Sequence, residues 1–113
     1  MKELKAIIRN HRLQAVLDEL REHPSLPGVT ISNVRGFGKI VGRHDATGPD
    51  PTYYGTVGMT KVECVVNDEL LDEIVLVIQK AGYTGSPGDG KIVIYDVNDM
   101  VRIRTGERGK GAI

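Results

Sequence analysis

The chain has 113 residues, of which 40% are hydrophobic and 27% charged, with 15 basic and 15 acidic side chains. This length allows one hydrophobic core, so we expect a single domain over residues 1–113. The formal net charge of zero excludes a general attraction to nucleic acid or anionic membrane, so any recognition of an anion must be local.

The first half of the chain predicts a strand, a helix and a second strand. Apolar residues alternate through residues 4–8, as in a strand, and then recur at helical spacing through residues 13–20. Pro24 and Pro27 end this helix. The second predicted strand covers residues 29–35.

The second half predicts a strand, a helix and a last strand. Residues 61–66 alternate as a strand, Asn67 or Asp68 is suited to cap the following helix, and Gly82 is suited to end it. Residues 91–97 form the last predicted strand. The order β-α-β-β-α-β predicts an α+β, ferredoxin-like fold with both helices on one face of an antiparallel sheet.

The predicted helices cover only one face of the sheet. A lone domain with 4% aromatic residues would leave apolar strand surface on the other face in water. We therefore expect burial of that face through symmetric assembly.

The connection between the second and third predicted strands, residues 38–59, is much longer than an ordinary hairpin turn. Its glycines, prolines and polar residues cannot build a core, which predicts a mobile loop ordered by a ligand or partner. Four of its side chains are expected to contact a partner, because aromatic residues often act as hot spots. They are Arg43, His44, Tyr53 and Tyr54.

A glycine-rich turn precedes the last predicted strand. Gly85, Gly88 and Gly90 leave backbone N–H groups able to converge on an anion, and Lys91 supplies a positive charge. The spacing matches GxxxxGK, but the next residue is Ile92 instead of serine or threonine, and a strand follows instead of a helix. An ordinary P-loop nucleotide hydrolase is therefore disfavoured.

Two arginines lie close behind this strand. Arg102 and Arg104 flank Ile103, and in an extended segment they would share a face and reach one phosphate chain. The alternative is a solvated strand edge, where basic residues are common.

The stretch from Gly88 to Ile113, with GDGKI, RIRTGERG and a closing Ala-Ile, resembles the C-terminal signature of the PII signal-transduction family. Further similar stretches lie at residues 1–2, 6–8, 28–30, 34–38, 61–63 and 84–85. The resemblance implies a homotrimer with ATP or ADP, and possible Mg²⁺, in clefts between subunits. It also implies a T-loop at 38–59, a B-loop at 82–90 and a C-terminal loop at 102–113.

The resemblance assigns roles to individual positions. The phosphate contacts it implies are the backbone of Gly88, Asp89 and Gly90 and the side chains of Lys91, Arg102 and Arg104. The positions it implies near the base and ribose are Thr30, Gly38, Glu63 and Val65. Further nucleotide contacts are implied at Gly36, Phe37 and Lys39.

Some positions depart from the family pattern. Ile40 replaces the glutamine that helps hold Mg²⁺ and 2-oxoglutarate, and Met59 replaces the lysine that pairs with a carboxylate of 2-oxoglutarate. Losing such a charge-assisted bond costs roughly 1.5–3 kcal/mol, so we expect no 2-oxoglutarate sensing of the usual family kind. Thr52 stands at the usual position of the modified tyrosine, which argues against uridylylation.

The sequence thus predicts a regulatory protein, not an enzyme, that reports adenylate state through its long loop to a target protein. By family analogy the target is a membrane transporter or a metabolic enzyme. The single cysteine and the lack of a long apolar run predict a cytoplasmic location, with membrane contact only through a partner.

Two alternatives remain open at this stage. One is a metal-binding trimer of the same architecture with His44, Asp45 and Asp50 as ligands. The other is a weak nucleotide hydrolase in which Asp89 activates water, although Asp between glycines also suits a tight turn.

Overall fold

The computed structural model describes residues 1–41 and 52–113. Its strands and helices are β1 (Lys2–Arg9), α1 (Leu13–Arg21), β2 (Thr30–Val41), β3 (Thr52–Val66), α2 (Asp68–Gly82) and β4 (Lys91–Asp96). Short 3₁₀ helices cover Asn10–Arg12 and Gly109–Ala112. The predicted order of elements is confirmed.

The strands form one antiparallel sheet in the order β2-β3-β1-β4. The central strand β1 pairs with β3 from Lys2↔Val66 to Arg9↔Met59. On its other side it pairs with β4 as far as Ile7↔Lys91. This arrangement confirms the predicted ferredoxin-like α+β fold.

The core lies between the sheet and the two helices. Alternate residues of β1 and β3 point toward the helices because successive side chains of a strand face opposite sides of the sheet. The buried apolar residues of these strands are Leu4, Ala6, Ile8, Val62, Cys64 and Val66, and those of the helices are Val16, Leu20, Ile74, Ile78 and Ala81. Each large side chain of this set stabilises the fold by about 1.5–3 kcal/mol.

Helix α2 has charged residues suited to its dipole. Asp68 and Glu69 lie in its first turn and Lys80 in its last. Asn67 occupies the predicted N-cap position but makes no side-chain capping bond. The N-terminal ammonium of Met1 instead lies 3.0 Å from Asp68, and its hydrogen bond to that carboxylate lowers the pKa of Asp68.

Cys64 is buried in β3, as the sequence predicted. Removal from water disfavours the thiolate and raises the pKa of Cys64 to about 11. The side chain is therefore a neutral, small apolar group at physiological pH.

Strands β2 and β3 are longer than predicted. The sequence placed them at residues 29–35 and 61–66, but their pairing continues without a break to Val41↔Thr52. The prediction that 38–41 and 52–59 are loop is therefore wrong. Glycines at positions 36, 38, 55 and 58 hid the strand pattern, because glycine is disfavoured in strand interiors and contributes no side-chain alternation.

The outer part of this β2–β3 pair projects beyond the sheet. Strand β1 ends at Arg9, opposite Met59, which in turn pairs with Val34. Residues 35–41 and 52–58 therefore pair only with each other, and we call them the projecting hairpin. Seven residue pairs at about 3.3 Å each give it a length of about 23 Å.

Within the described residues of one chain, no helix covers the sheet face opposite α1 and α2. Its central side chains are half-buried and mix charged with apolar groups. Lys61 lies 3.4 Å from Glu63, and the Lys5 ammonium lies 5.2 Å from the centre of the Tyr95 ring. Assembly through this face stays a prediction.

Within the described residues, no helix is long and apolar enough to span a membrane.

We expect Ile74→Ala to lower the free energy of unfolding by about 2–5 kcal/mol, because it leaves a cavity in the core. Ile74 is completely buried, whereas Leu76 on the same helix is 49% exposed and provides the matched control as Leu76→Ala. Urea denaturation at one fixed protein concentration measures both. Equal losses in the two variants would contradict the position of this core.

Candidate nucleotide-binding site

The glycine-rich loop, residues 82–90, connects α2 to β4 and lies against the end of β1. Gly90 has a φ of +99°, and a β-carbon there would stand 1.7 Å from the carbonyl oxygen of Ile7. A β-carbon on Gly88 would stand 2.8 Å from the Arg9 guanidinium. Glycine at these two positions allows the loop to approach the strand this closely.

Asp89 organises this loop from within. Its carboxylate accepts hydrogen bonds from the Thr84 hydroxyl, from the N–H groups of Thr84 (2.7 Å) and Gly85 (3.0 Å), and from Arg9 Nε (2.9 Å). These bonds, led by the Thr84 hydroxyl, hold the pKa of Asp89 far below its usual range. A carboxylate so weakly basic is a poor activator of water, which disfavours the hydrolase alternative.

The loop therefore differs from the sequence prediction in one respect. Gly85 was expected to offer its N–H group to an anion, but that group donates to Asp89. The carboxylate of Asp89 is turned to the loop and to Arg9, whereas the predicted phosphate contact at this residue is its backbone. Lys91, also predicted there, is exposed at the first position of β4 and pairs in register with Ile7.

A second group of predicted residues forms a separate pocket. Thr30 of β2 pairs directly with Glu63 of β3, and Val65 lies two residues further along the same face. These three residues line a pocket of about 380 Å³. Its complete lining is Glu3, Pro27, Gly28, Thr30, Glu63, Cys64, Val65 and Met100.

The pocket and the glycine-rich loop lie at different places along β1. Glu3 lines the pocket and pairs with Val65, whereas Ile7 pairs with Lys91 beside the loop. Ile7 lies four residues beyond Glu3 on the strand, a distance of about 13 Å along the sheet. One chain therefore holds the two groups of predicted residues as separate half-sites.

The C-terminal segment is folded into a turn. The N–H of Gly106 donates to the carbonyl of Arg102 at 2.8 Å, and Val101 forms a bridge with Arg108. The prediction that Arg102 and Arg104 lie in an extended segment is therefore wrong. The turn depends on Gly106, whose φ of +73° is rarely adopted by other residues.

The two arginines have different surroundings within this turn. The Arg102 guanidinium donates to the backbone oxygen of Ile113 at 2.9 Å and lies 3.8 Å from the Glu107 carboxylate. Arg104 is exposed and has no ion pair with any described residue. Asp99 stabilises the segment further by pairing with Arg108, which lowers the pKa of Asp99.

The remaining predicted nucleotide contacts lie on the projecting hairpin. Gly36, Phe37, Gly38 and Lys39 follow one another on β2, and Phe37 is 75% exposed. The predicted partner contacts are divided between described and undescribed parts of the chain. Tyr53 and Tyr54 belong to β3, whereas Arg43 and His44 lie outside the described residues, as do Asp45 and Asp50 of the proposed metal site.

The described residues contain no group of three or more His, Cys, Asp or Glu side chains that could hold a metal ion.

Met59, at the position where the family pattern has lysine, is buried between Arg9 of β1 and Val34 of β2. Its side chain is therefore part of the packed sheet at the base of the projecting hairpin. The absence of 2-oxoglutarate sensing stays a prediction.

Sequence reasoning missed several residues that shape these half-sites. Glu3 and Met100 line the pocket, and Arg9 and Ile7 contact the glycine-rich loop. The alternation of residues 4–8, extended by one residue at each end, would have placed Glu3, Ile7 and Arg9 on one face of β1, and this was the available signal. Their distance to the loop depends on the β1–β4 register, which the sequence did not fix.

The fold matches that of a solved protein structure and the sequence matches a family model. The structure is similar to that of B. subtilis GlnK, with a TM-score of 0.81, 28% identity and coverage of 99% of this chain and 97% of that one. The family model "Nitrogen regulatory protein P-II" matches residues 1–107.

Curated relatives agree over the whole chain. Nitrogen regulatory protein P-II 2 of Methanothermobacter thermautotrophicus is 43% identical, covering 100% of this chain and 97% of the relative. Nitrogen regulatory protein P-II of Rhodospirillum rubrum is 37% identical, covering 100% of both. The chain therefore belongs to the P-II family. It is a PII-like signalling protein of nitrogen regulation that acts on partner proteins and is not an enzyme.

We expect Gly90→Ala to lower the free energy of unfolding by more than about 2 kcal/mol, because its positive φ and the Ile7 carbonyl oppose a β-carbon. Gly36→Ala is the control, since its β-carbon would have no neighbour within 4 Å. That control should change stability by less than about 0.5 kcal/mol in urea denaturation. A fully stable Gly90→Ala variant would show that the loop lies elsewhere.

Proposed function

We propose that this protein binds ATP or ADP at composite sites between the subunits of a homotrimer and signals the bound nucleotide through its projecting hairpin. The observation that carries the proposal is the pair of half-sites: a pocket lined by Thr30, Glu63 and Val65, and a glycine-rich loop followed by Lys91. Adenine nucleotides are effectors of P-II proteins in general.

The two half-sites suit different parts of a nucleotide. The pocket is largely apolar in lining, and Glu63 offers a carboxylate that can accept hydrogen bonds from ribose hydroxyls or a base amino group. Lys91 and the adjacent loop backbone suit phosphate oxygens, because an ammonium and N–H groups both stabilise negative charge. Arg104 would add a guanidinium to the same phosphate chain.

Binding of a phosphate by Arg102 would disturb contacts that this residue already makes. Its guanidinium already contacts the Ile113 backbone oxygen and Glu107, so a phosphate must replace these contacts or share them. Asp89 plays an indirect part, because its carboxylate holds the loop while its backbone lies beside Lys91. Mg²⁺ can accompany a triphosphate, although no protein ligand for it is assigned.

The separation of the half-sites favours a site shared by two chains. About 13 Å of sheet divides the pocket from the loop within one chain, so the pocket of one subunit is proposed to face the loop of its neighbour. The uncovered sheet face supplies the surface for such an assembly. P-II proteins are trimeric regulators of target proteins, which agrees with this geometry.

The proposed output is protein binding. The projecting hairpin extends about 23 Å from the sheet and carries Tyr53 and Tyr54 toward its outer end, where they can contact a target protein. ATP and ADP differ by one phosphate, so contacts made only by ATP would favour one arrangement of the hairpin. A transporter or metabolic enzyme is the proposed class of target, in a cytoplasmic setting.

We expect Lys91→Ala and Arg104→Ala each to weaken ATP binding about 10–100-fold, because each removes a charge-assisted phosphate contact. Isothermal titration with ATP and ADP, with and without Mg²⁺ and 2-oxoglutarate, measures the change. Lys80→Ala, an exposed lysine in the last turn of α2, should bind as the unchanged protein does. Unaltered affinity in both site variants would disprove the phosphate contacts.

A subunit-mixing experiment tests whether the site is composite. Lys91→Ala and Glu63→Ala homotrimers should each bind ATP poorly, whereas trimers containing both chains should recover binding where an intact Lys91 meets an intact Glu63. The control mixes Lys91→Ala chains with chains carrying both substitutions, which leaves no intact pair. If each chain held its own site, the first mixture would recover no binding.

A further inference from the structure

Polar side chains at the end of β1 contact three other parts of the chain. Arg9 Nε donates to Asp89 of the glycine-rich loop at 2.9 Å. Asn10 Oδ1 accepts from the Thr60 hydroxyl of β3 at 2.7 Å. Arg12 Nε donates to the carbonyl of Ala81, at the end of α2, at 2.8 Å. We call residues 9–12 the β1–α1 junction.

The first contact makes the junction sensitive to charge at the glycine-rich loop. Arg9 and Asp89 are only 29% and 21% exposed, so their ion pair is partly shielded from solvent. A phosphate bound beside Lys91 would compete with Asp89 for the same guanidinium. Arg9 would then have two arrangements, one with the loop empty and one with it occupied.

The second contact lies at the root of the projecting hairpin. Thr60 is 2% exposed and pairs with Ile8, one residue inside Met59, which is the outermost residue of β3 that pairs with β1. Gly58, two residues further out, would place a β-carbon 3.4 Å from the Asn10 amide nitrogen. Asn10 therefore packs against the first residues of the hairpin as well as bonding to Thr60.

We propose that Asn10 and Thr60 are positioning residues that transmit occupancy of the glycine-rich loop, through Arg9, to the projecting hairpin. This inference rests on the nucleotide binding proposed above. Arg9 and Asn10 are adjacent in the chain, so a change in the Arg9 contact shifts the backbone that carries Asn10. The bond to buried Thr60 converts that shift into a change at the hairpin root.

Thr60→Val tests this role because it keeps the shape and strand preference of the side chain but removes the hydroxyl donor. We expect its ATP affinity to stay within about twofold of the unchanged protein in isothermal titration. The ATP-dependent change in amide exchange over residues 52–58, by mass spectrometry, should fall about fivefold or more. Thr60→Ser keeps the donor and should retain the response.

Asn10→Ala provides a second variant at an exposed position, where folding is less at risk. It should lose the hairpin response as Thr60→Val does, and the double variant should lose no more than either single variant. Additive losses would show that the two residues act separately and would overturn the proposal.

The remaining outcomes separate this inference from the proposed function. A Thr60→Val protein with a full hairpin response, or one that loses ATP affinity and response together, would overturn the positioning role alone. An unchanged protein that binds ATP without any exchange response would do the same. An unchanged protein that binds no ATP would overturn the proposed function and this inference with it.

Discussion

The pairing of β1 on both of its edges is the constraint on which the other features depend. Its alternate residues build the core on one face and leave charged side chains on the other. Its end also determines where β2 and β3 separate from the rest of the sheet, and its last residues meet the glycine-rich loop. Core, hairpin and loop are thus defined by the position of one eight-residue strand.

The fold was predictable because its signals are local. Helical spacing in α1 and α2 and alternation in β1 and the inner part of β3 follow directly from burial against one layer. The length of β2 and β3 was not predictable from the same signals. Glycines interrupt the alternation, and the evidence for a strand there is the register of backbone pairs across two distant segments.

The sequence predicted which types of residue form the candidate site better than it predicted how those residues are arranged. Glycines and basic residues indicated an anion site, and the pocket does bring Thr30, Glu63 and Val65 together. The roles of Gly85 and Arg102 depended on hydrogen bonds to Asp89 and Ile113 that no spacing rule specifies. Propensity describes neighbours along the chain, whereas these bonds depend on the tertiary fold.

The burial of Cys64 has a practical consequence for labelling this protein with a fluorophore. Burial raises the pKa of this thiol to about 11, so it is almost entirely protonated at pH 7, and it lies within the core. Thiol-directed dyes should therefore react very slowly with the native cysteine. A cysteine introduced on the hairpin can then carry the sole fluorophore of each subunit without prior removal of the natural one.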